Sequence, residues 1–167
     1  MCEPCVEARM LVHPHGAGER AIVMFERVCV YLIGPLTPVS SVGASYALSM
    51  TDACTDLSFA FPLKTKAEAG VALRDWILYL ENHANKKVKI IRTDGEKTMP
   101  SNDVMRQFMA SKGIKVEFSS PYSPKLTGKA ERHNRFLMER TCAMLLGSRL
   151  PLAHWGEMLV AVSFIMN

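Results

Sequence analysis

Apolar and polar positions along the chain change period several times, and each change marks an element. Val28 to Leu32 is β-branched and apolar, and Gly34-Pro35 through Gly43 reads as a turn-rich connection. Tyr46 to Thr51 and Ser58 to Leu63 read as two further strands, spaced for a three-strand antiparallel meander. From Ala67 to Asn82 the period becomes helical, with Val71, Leu73, Trp76, Ile77 and Leu80 on or near one face. Val88 to Ile91 is a short strand of the buried type, ending at Arg92-Thr93-Asp94. Ser101 or Asn102 can cap a helix from Asp103 to Ser111 that stops at Gly113, and Ile114 to Phe118 alternates as a strand. A helix carrying Glu131 is expected to run to about Leu146 and end at Gly147. Met138, Met144 and Leu145 have core spacing on it. Pro151 to Asn167 reads as a last, apolar helix, with Trp155, like Trp76, a core anchor.

The order β-β-β-α-β-α-β-α-α predicts an α/β fold. Its mixed five-stranded sheet has a three-strand antiparallel meander plus two parallel strands, flanked by helices. That arrangement fits the ribonuclease H-like fold. It would place Asp94 at the C-terminal end of a central strand, where open α/β sheets favour ligand sites. A chain of 167 residues is one domain with room for a real core. The net charge of +4 permits a nucleic-acid partner without requiring one. No apolar run reaches the ~18 residues of a membrane span, and no membrane partner is expected. Cysteines at 2, 5, 29, 54 and 142 are odd in number and scattered, which argues for a reducing, intracellular compartment.

The densest chemistry lies between Pro121 and Arg135. There a loop broken by proline and glycine leads into a helix whose first turns carry one acid, Glu131, among Lys129, Arg132, His133 and Arg135. An acid near a helix start can simply complement the dipole, an effect of ~0.3–1 kcal/mol. It can also be a metal-binding carboxylate on a phosphate-binding surface formed by Lys125, Lys129, Arg132 and Arg135.

The residues from Val88 to Arg135 also carry a resemblance. Ile91-Arg-Thr-Asp94, Gly113-Ile114, Ser120-Pro-Tyr-Ser-Pro124, Gly128 and Ala130-Glu-Arg-His-Asn-Arg135 resemble the integrase core domain (D,D,E type) of Ty1/copia-type retrotransposon polyproteins. Gly34-Pro35-Leu36, Leu63-Lys-Thr-Lys66-Ala-Glu68 and Leu150-Pro151 through Trp155-Gly-Glu157 extend it over nearly the whole chain. The resemblance implies DNA integration by divalent-metal-dependent strand transfer. Two Mg2+ or Mn2+ ions would be held by two aspartates and a glutamate, since paired hard cations need bridging oxygen ligands. Asp94 and Glu131 match the second aspartate and the glutamate. It further implies DNA as partner (element ends and target), homo-oligomers or pairing with intact integrase, and work in the nucleus or a cytoplasmic virus-like particle.

The first aspartate is missing: its aligned position holds Tyr31, and Cys29 stands where the family has a histidine. A phenol ionises only near pH ~10 and is a poor bridging ligand. Asp52 is the conceivable substitute. A hairpin pairing it near residue 27 would leave it four residues, about 13 Å, from Tyr31. Asp56 reads as solvated surface. Residues 1–20 read as the remnant of an N-terminal zinc module. Cys2 and Cys5 form a half-site there, and Zn2+ binding is not expected. Residues 21–167 are the catalytic core-like domain, with the family's C-terminal domain expected to be absent. The sequence thus predicts a degenerate integrase, with a catalytically inactive nucleic-acid-binding or integrase-pairing module as the alternative.

Overall fold

The computed structural model describes residues 21, 23–93, 103–118 and 124–167, with side chains described from residue 131 onward in the last segment. Strands β1 (Arg27–Ile33), β2 (Tyr46–Asp52) and β3 (Ser58–Leu63) form the meander. They are followed by α1 (Glu68–Ala84), β4 (Ile90–Thr93), α2 (Asp103–Lys112), β5 (Lys115–Phe118), α3 (Pro124–Ser148) and α4 (Trp155–Ile165). The sheet order is β3-β2-β1-β4-β5; β1 runs antiparallel to β2 and parallel to β4, and β4 is parallel to β5. This is the expected mixed sheet, in the expected order. No helix among the described residues is long and apolar enough to cross a membrane.

Strand alternation divides the sheet into two unlike faces. Val28, Val30, Leu48, Met50 and Ile91 fill the first face. Leu73, Trp76, Ile77 and Leu80 of α1 cover it, with Met105 and Met109 of α2. Burying each such Leu or Ile contributes about 1.5–3 kcal/mol. Trp76 anchors this layer, meeting Phe25 and Phe59 edge-on with ring centroids 6.0 and 5.3 Å away. The second face carries small residues, Ala47 and Ala60, joined by Ala44 from the preceding loop. Leu137 and Leu145 of α3 and Trp155, Leu159 and Val162 of α4 pack there.

Ends of the elements follow local chemistry. The Glu68 carboxylate accepts from Lys64 N–H (2.9 Å) and the Thr65 hydroxyl, closing the start of α1. Gly113, at φ +65°, stops α2 as expected. Trp155 Nε1 donates to Pro38 O (2.8 Å), and the Ser41 hydroxyl donates to Glu157, holding the β1–β2 loop on the start of α4. Asn167 fixes the far end of the chain to β3, accepting from Ser58 N–H (2.7 Å) and donating to Ser58 O (2.8 Å).

Several expectations need correction. Val71 is exposed, because it lies off the stripe made by Ala69, Leu73, Trp76, Ile77 and Leu80. Val88 is buried but precedes β4, which starts at Ile90. α3 runs through Gly147 to Ser148, and Arg149, at φ +56°, makes the left-handed stop instead. Met144 is exposed, while Leu145 is buried and Met138 half-buried. The last helix begins as a 3-10 turn, Leu152–His154, before α4.

Gly34 leaves β1 at φ +128°, and a Cβ there would come within 2.8 Å of Ser45 O and 2.9 Å of the Tyr46 ring. Gly34→Ala should therefore cost about 1–3 kcal/mol of stability, read as a lower urea midpoint with unchanged slope.

Candidate functional site

The second face of β1 is where the expected metal site would be built. Cys29 and Tyr31 point to that face and form a small buried cluster of their own, Tyr31 at 6% exposure. Tyr31 is paired with Ser49 of β2, and Cys29 with Thr51 and, across to β4, with Arg92. The β1–β4 register ends at Val30↔Thr93; in the sequence Tyr31 follows the first of these and Asp94 the second. Asp94 itself lies outside the described residues, as do Cys2 and Cys5.

Asp52 is on the other face. It pairs with Val28, close to the expected residue 27, and stands three residues from the Tyr31 partner Ser49. An odd offset reverses the side chain, so Asp52 belongs with Val28, Val30 and Met50. Its carboxylate is engaged there: Oδ1 accepts from Phe25 N–H (2.9 Å), and Oδ2 from Thr55 N–H (2.9 Å) and the Thr55 hydroxyl (2.6 Å). It closes the β2–β3 turn and ties down the segment before β1. Asp56, in the same turn, is exposed, as expected.

Glu131 sits further into its helix than the sequence suggested. The stretch from Pro124 to Gly128, expected as loop, is the start of α3, with proline at the first helical position, where its missing N–H is not needed. Glu131 is seven residues on, about 10 Å along the axis. A helix dipole acts within the first turn, so it does not account for this acid. Glu131 is exposed, yet it continues the stripe Asn134, Met138, Thr141 and Leu145 by which α3 meets the rest of the domain. Asn134 Oδ1 and, on β2, Ser49 Oγ are buried without hydrogen-bond partners, which leaves polar capacity in this layer.

The basic residues fare unevenly. Arg132 and Arg135 are exposed; Arg135 approaches Glu139, not Glu131, at 3.9 Å, too long and too open to hold it. The side chains of Lys125 and Lys129 lie outside the described residues. His133 is half-buried. No group of three or more His, Cys, Asp or Glu able to hold a metal occurs among the described residues.

One feature was missed by the sequence reading. Arg92, 9% exposed, is paired with Glu117 of β5 at 2.8 Å beside Cys29, and Lys115 meets the same carboxylate at 3.2 Å. The signal was available in strand parity, since Arg92 and Glu117 are register partners on one face. The Arg92 guanidinium holds the Glu117 carboxyl below its usual 4.5, against a smaller opposing effect of burial.

The meander, the two parallel strands and the following pair of helices allow comparison with known proteins. No protein-family model matches the chain. It is 30% identical over 169 residues to the Pro-Pol polyprotein of Simian foamy virus type 3 (strain LK3), covering 99% of this chain and 14% of that protein. It is 26% identical over 151 residues to the Retrovirus-related Pol polyprotein from transposon TNT 1-94 of Nicotiana tabacum, covering 90% of this chain and 11% of the relative. The chain is thus similar to a short part of retroelement Pol polyproteins. In fold, this domain resembles a chain of the simian T-cell lymphotropic virus intasome solved in complex with PP2A regulatory subunit B56 gamma. The TM-score is 0.69 at 18% identity, over 92% of this chain and 52% of the other. The ribonuclease H-like fold expected from element order is thus the fold observed.

Two predictions separate the acids of this domain. Asp52→Ala should lower stability by about 2–3 kcal/mol in urea unfolding, because three donors lose their acceptor, whereas Glu131→Gln should stay within about 0.5 kcal/mol. Glu117, with its lowered folded-state pKa, contributes stability that is fully present above about pH 4.5 and is lost as pH falls through the lower folded value. Glu117→Gln should therefore be less stable than the natural chain at pH 7, with the gap narrowing at pH 3 and below.

Proposed function

We propose that this domain is a degenerate integrase core of the Ty1/copia type. In this reading it binds DNA and pairs with itself or with intact integrase, and does not complete two-metal strand transfer. The observation that carries the reading is Tyr31: a buried phenol stands on β1 where the reaction needs a carboxylate. The residues present do not fit a two-ion site. Bridging Mg2+ or Mn2+ requires a bridging oxyanion at that position. Asp52 cannot supply it, because it faces the other layer with its oxygens committed. Asp94 and Glu131 remain as the acids matching the family pattern, enough for weak single-ion binding at most.

DNA binding is supported by the homology to integrase regions of retroelement polyproteins and by the exposed guanidinium groups of Arg132 and Arg135 on α3. Pairing is supported by the intasome likeness and by exposed apolar residues on α4. Val160 and Phe164 are one turn apart, at 44% and 81% exposure. The chain spans a small part of the polyproteins it matches, so the rest of their activity lies outside this proposal.

The test is titration calorimetry of Mg2+ and Mn2+ into the natural chain, Tyr31→Asp and Asp94→Asn, beside strand-transfer assays on retroelement-end DNA. The natural chain should show no strand transfer and at most weak metal heat. Tyr31→Asp should gain metal binding that Asp94→Asn abolishes when the two are combined. Strand transfer by the natural chain, lost in Asp94→Asn, would overturn the proposal. Should Tyr31→Asp fail to fold, the binding arm still stands alone. Arg132→Gln/Arg135→Gln should weaken duplex binding several-fold at 100 mM salt.

A further inference from the structure

A second concentration of positive charge lies at the start of the parallel strands, where the Glu131 motif plays no part. α1 ends at Asn85, in the left-handed conformation (φ 49°), with its N–H bonded to Leu80 O. The chain then runs Lys86-Lys87-Val88-Lys89 into β4. This segment is held in place. Lys86 N–H donates to Leu80 O (3.2 Å), Val88 is 4% exposed, and Lys89 N–H donates to Glu26 O (3.0 Å). Lys115 opens β5 beside it, its N–H bonded to Lys89 O (2.8 Å), and Lys112 closes α2 just before. At the other end of β4, Thr93 leads into Asp94.

The acids nearby neutralise only part of this surface. Glu26 pairs with Lys89, Glu81 with Lys112, and Glu117 with Lys115 and Arg92. Lys86 and Lys87 are exposed and make no ion pair among the described residues. Two helix C-termini, of α1 and α2, account for part of the lysine content. Lys86 and Lys87 both lie beyond the cap of α1, however, and the dipole effect fades within the last turn. From Lys86 to Lys89 the chain spans about 10 Å if extended, close to three axial steps between phosphates on one strand. Lysine is depleted at protein–protein interfaces, which favour aromatic residues and arginine, and the one apolar residue of this segment is buried.

We propose that Lys86, Lys87 and Lys89, with Lys115 beside them, form a second phosphate-binding surface for a nucleic-acid backbone, separate from the Arg132–Arg135 face of α3. Its contacts are to phosphate and carry no sequence preference. An integrase-like domain with two such surfaces can hold two nucleic-acid segments, or two stretches of one, without any catalysis.

The experiment is fluorescence anisotropy of a labelled 20-base-pair duplex with the full chain over a KCl series. Lys86→Gln/Lys87→Gln and Arg132→Gln/Arg135→Gln are measured beside it, and each variant is checked for fold by circular dichroism. The lysine variant should bind several-fold more weakly at 100 mM KCl, with the slope of log K against log salt reduced by roughly two. The arginine variant should lose its own share, and the four-fold variant should lose both. An unchanged slope in the lysine variant, or no salt-sensitive binding by the natural chain, overturns the inference. So does loss of poly-glutamate binding with DNA binding intact, which would make the surface a dock for acidic protein. A lysine effect without an arginine effect sustains this surface and removes the α3 face from the functional reading; the converse does the opposite.

Discussion

The β1–β2 register is the constraint on which the interpretation of this domain turns. Val28 opposite Asp52 and Tyr31 opposite Ser49 settle which side chains share a face along both strands. Because alternation has a period of two, sliding the hairpin by one residue would send every side chain to the other layer. The bulky set Val28, Val30, Leu48 and Met50 would then meet α3 and α4, whose close approach depends on Ala47 and Ala60. The register is thus enforced by two unlike layers at once. The Asp52 carboxylate reinforces it by binding the backbone on both sides of the hairpin, at Phe25 and Thr55.

That constraint gives the two acids of the meander region and the tyrosine distinct meanings. Asp52 is a structural carboxylate, Asp56 a solvated turn residue, and Tyr31 an apolar-bodied side chain completing a buried surface with Cys29. A phenol is compatible with a buried sheet position in a way that an isolated carboxylate is not, since an unpaired buried charge is costly. Tyr31 therefore suits the buried sheet position that it occupies. The Arg92–Glu117 pair continues the same layer with charges that satisfy one another.

Much of this was legible in the sequence because periodicity and turn chemistry are local. The β-branched run at Val28–Leu32, the helical stripe through Leu73, Trp76 and Leu80, and Gly113 after α2 each announced themselves. The misses have tertiary causes. Arg149 took the left-handed stop from Gly147, so α3 extends to Ser148. Pro124 to Gly128 looked like a loop because proline and glycine usually break helices, but proline at a first helical position does not. The hairpin register was legible to within a residue, as Asp52 pairs with Val28, but the face on which Asp52 lies was not read from it. Of the site residues read from the sequence, Glu131 lies on α3 and Asp52 at the end of β2.

The length of α3 has a consequence for how such a domain changes over time. Glu131 is carried on the same rigid rod as Leu137, Thr141 and Leu145, whose burial fixes the rotation of the whole helix. At 3.6 residues per turn, insertion or loss of one residue between Glu131 and Leu137 swings the carboxylate by about 100° about the axis. Point substitutions can accumulate on the exposed turns without redirecting it, whereas a single-codon insertion or deletion would turn it away at once. The direction of Glu131 is thus set by the packing of the helix that carries it, several turns away from the carboxylate itself.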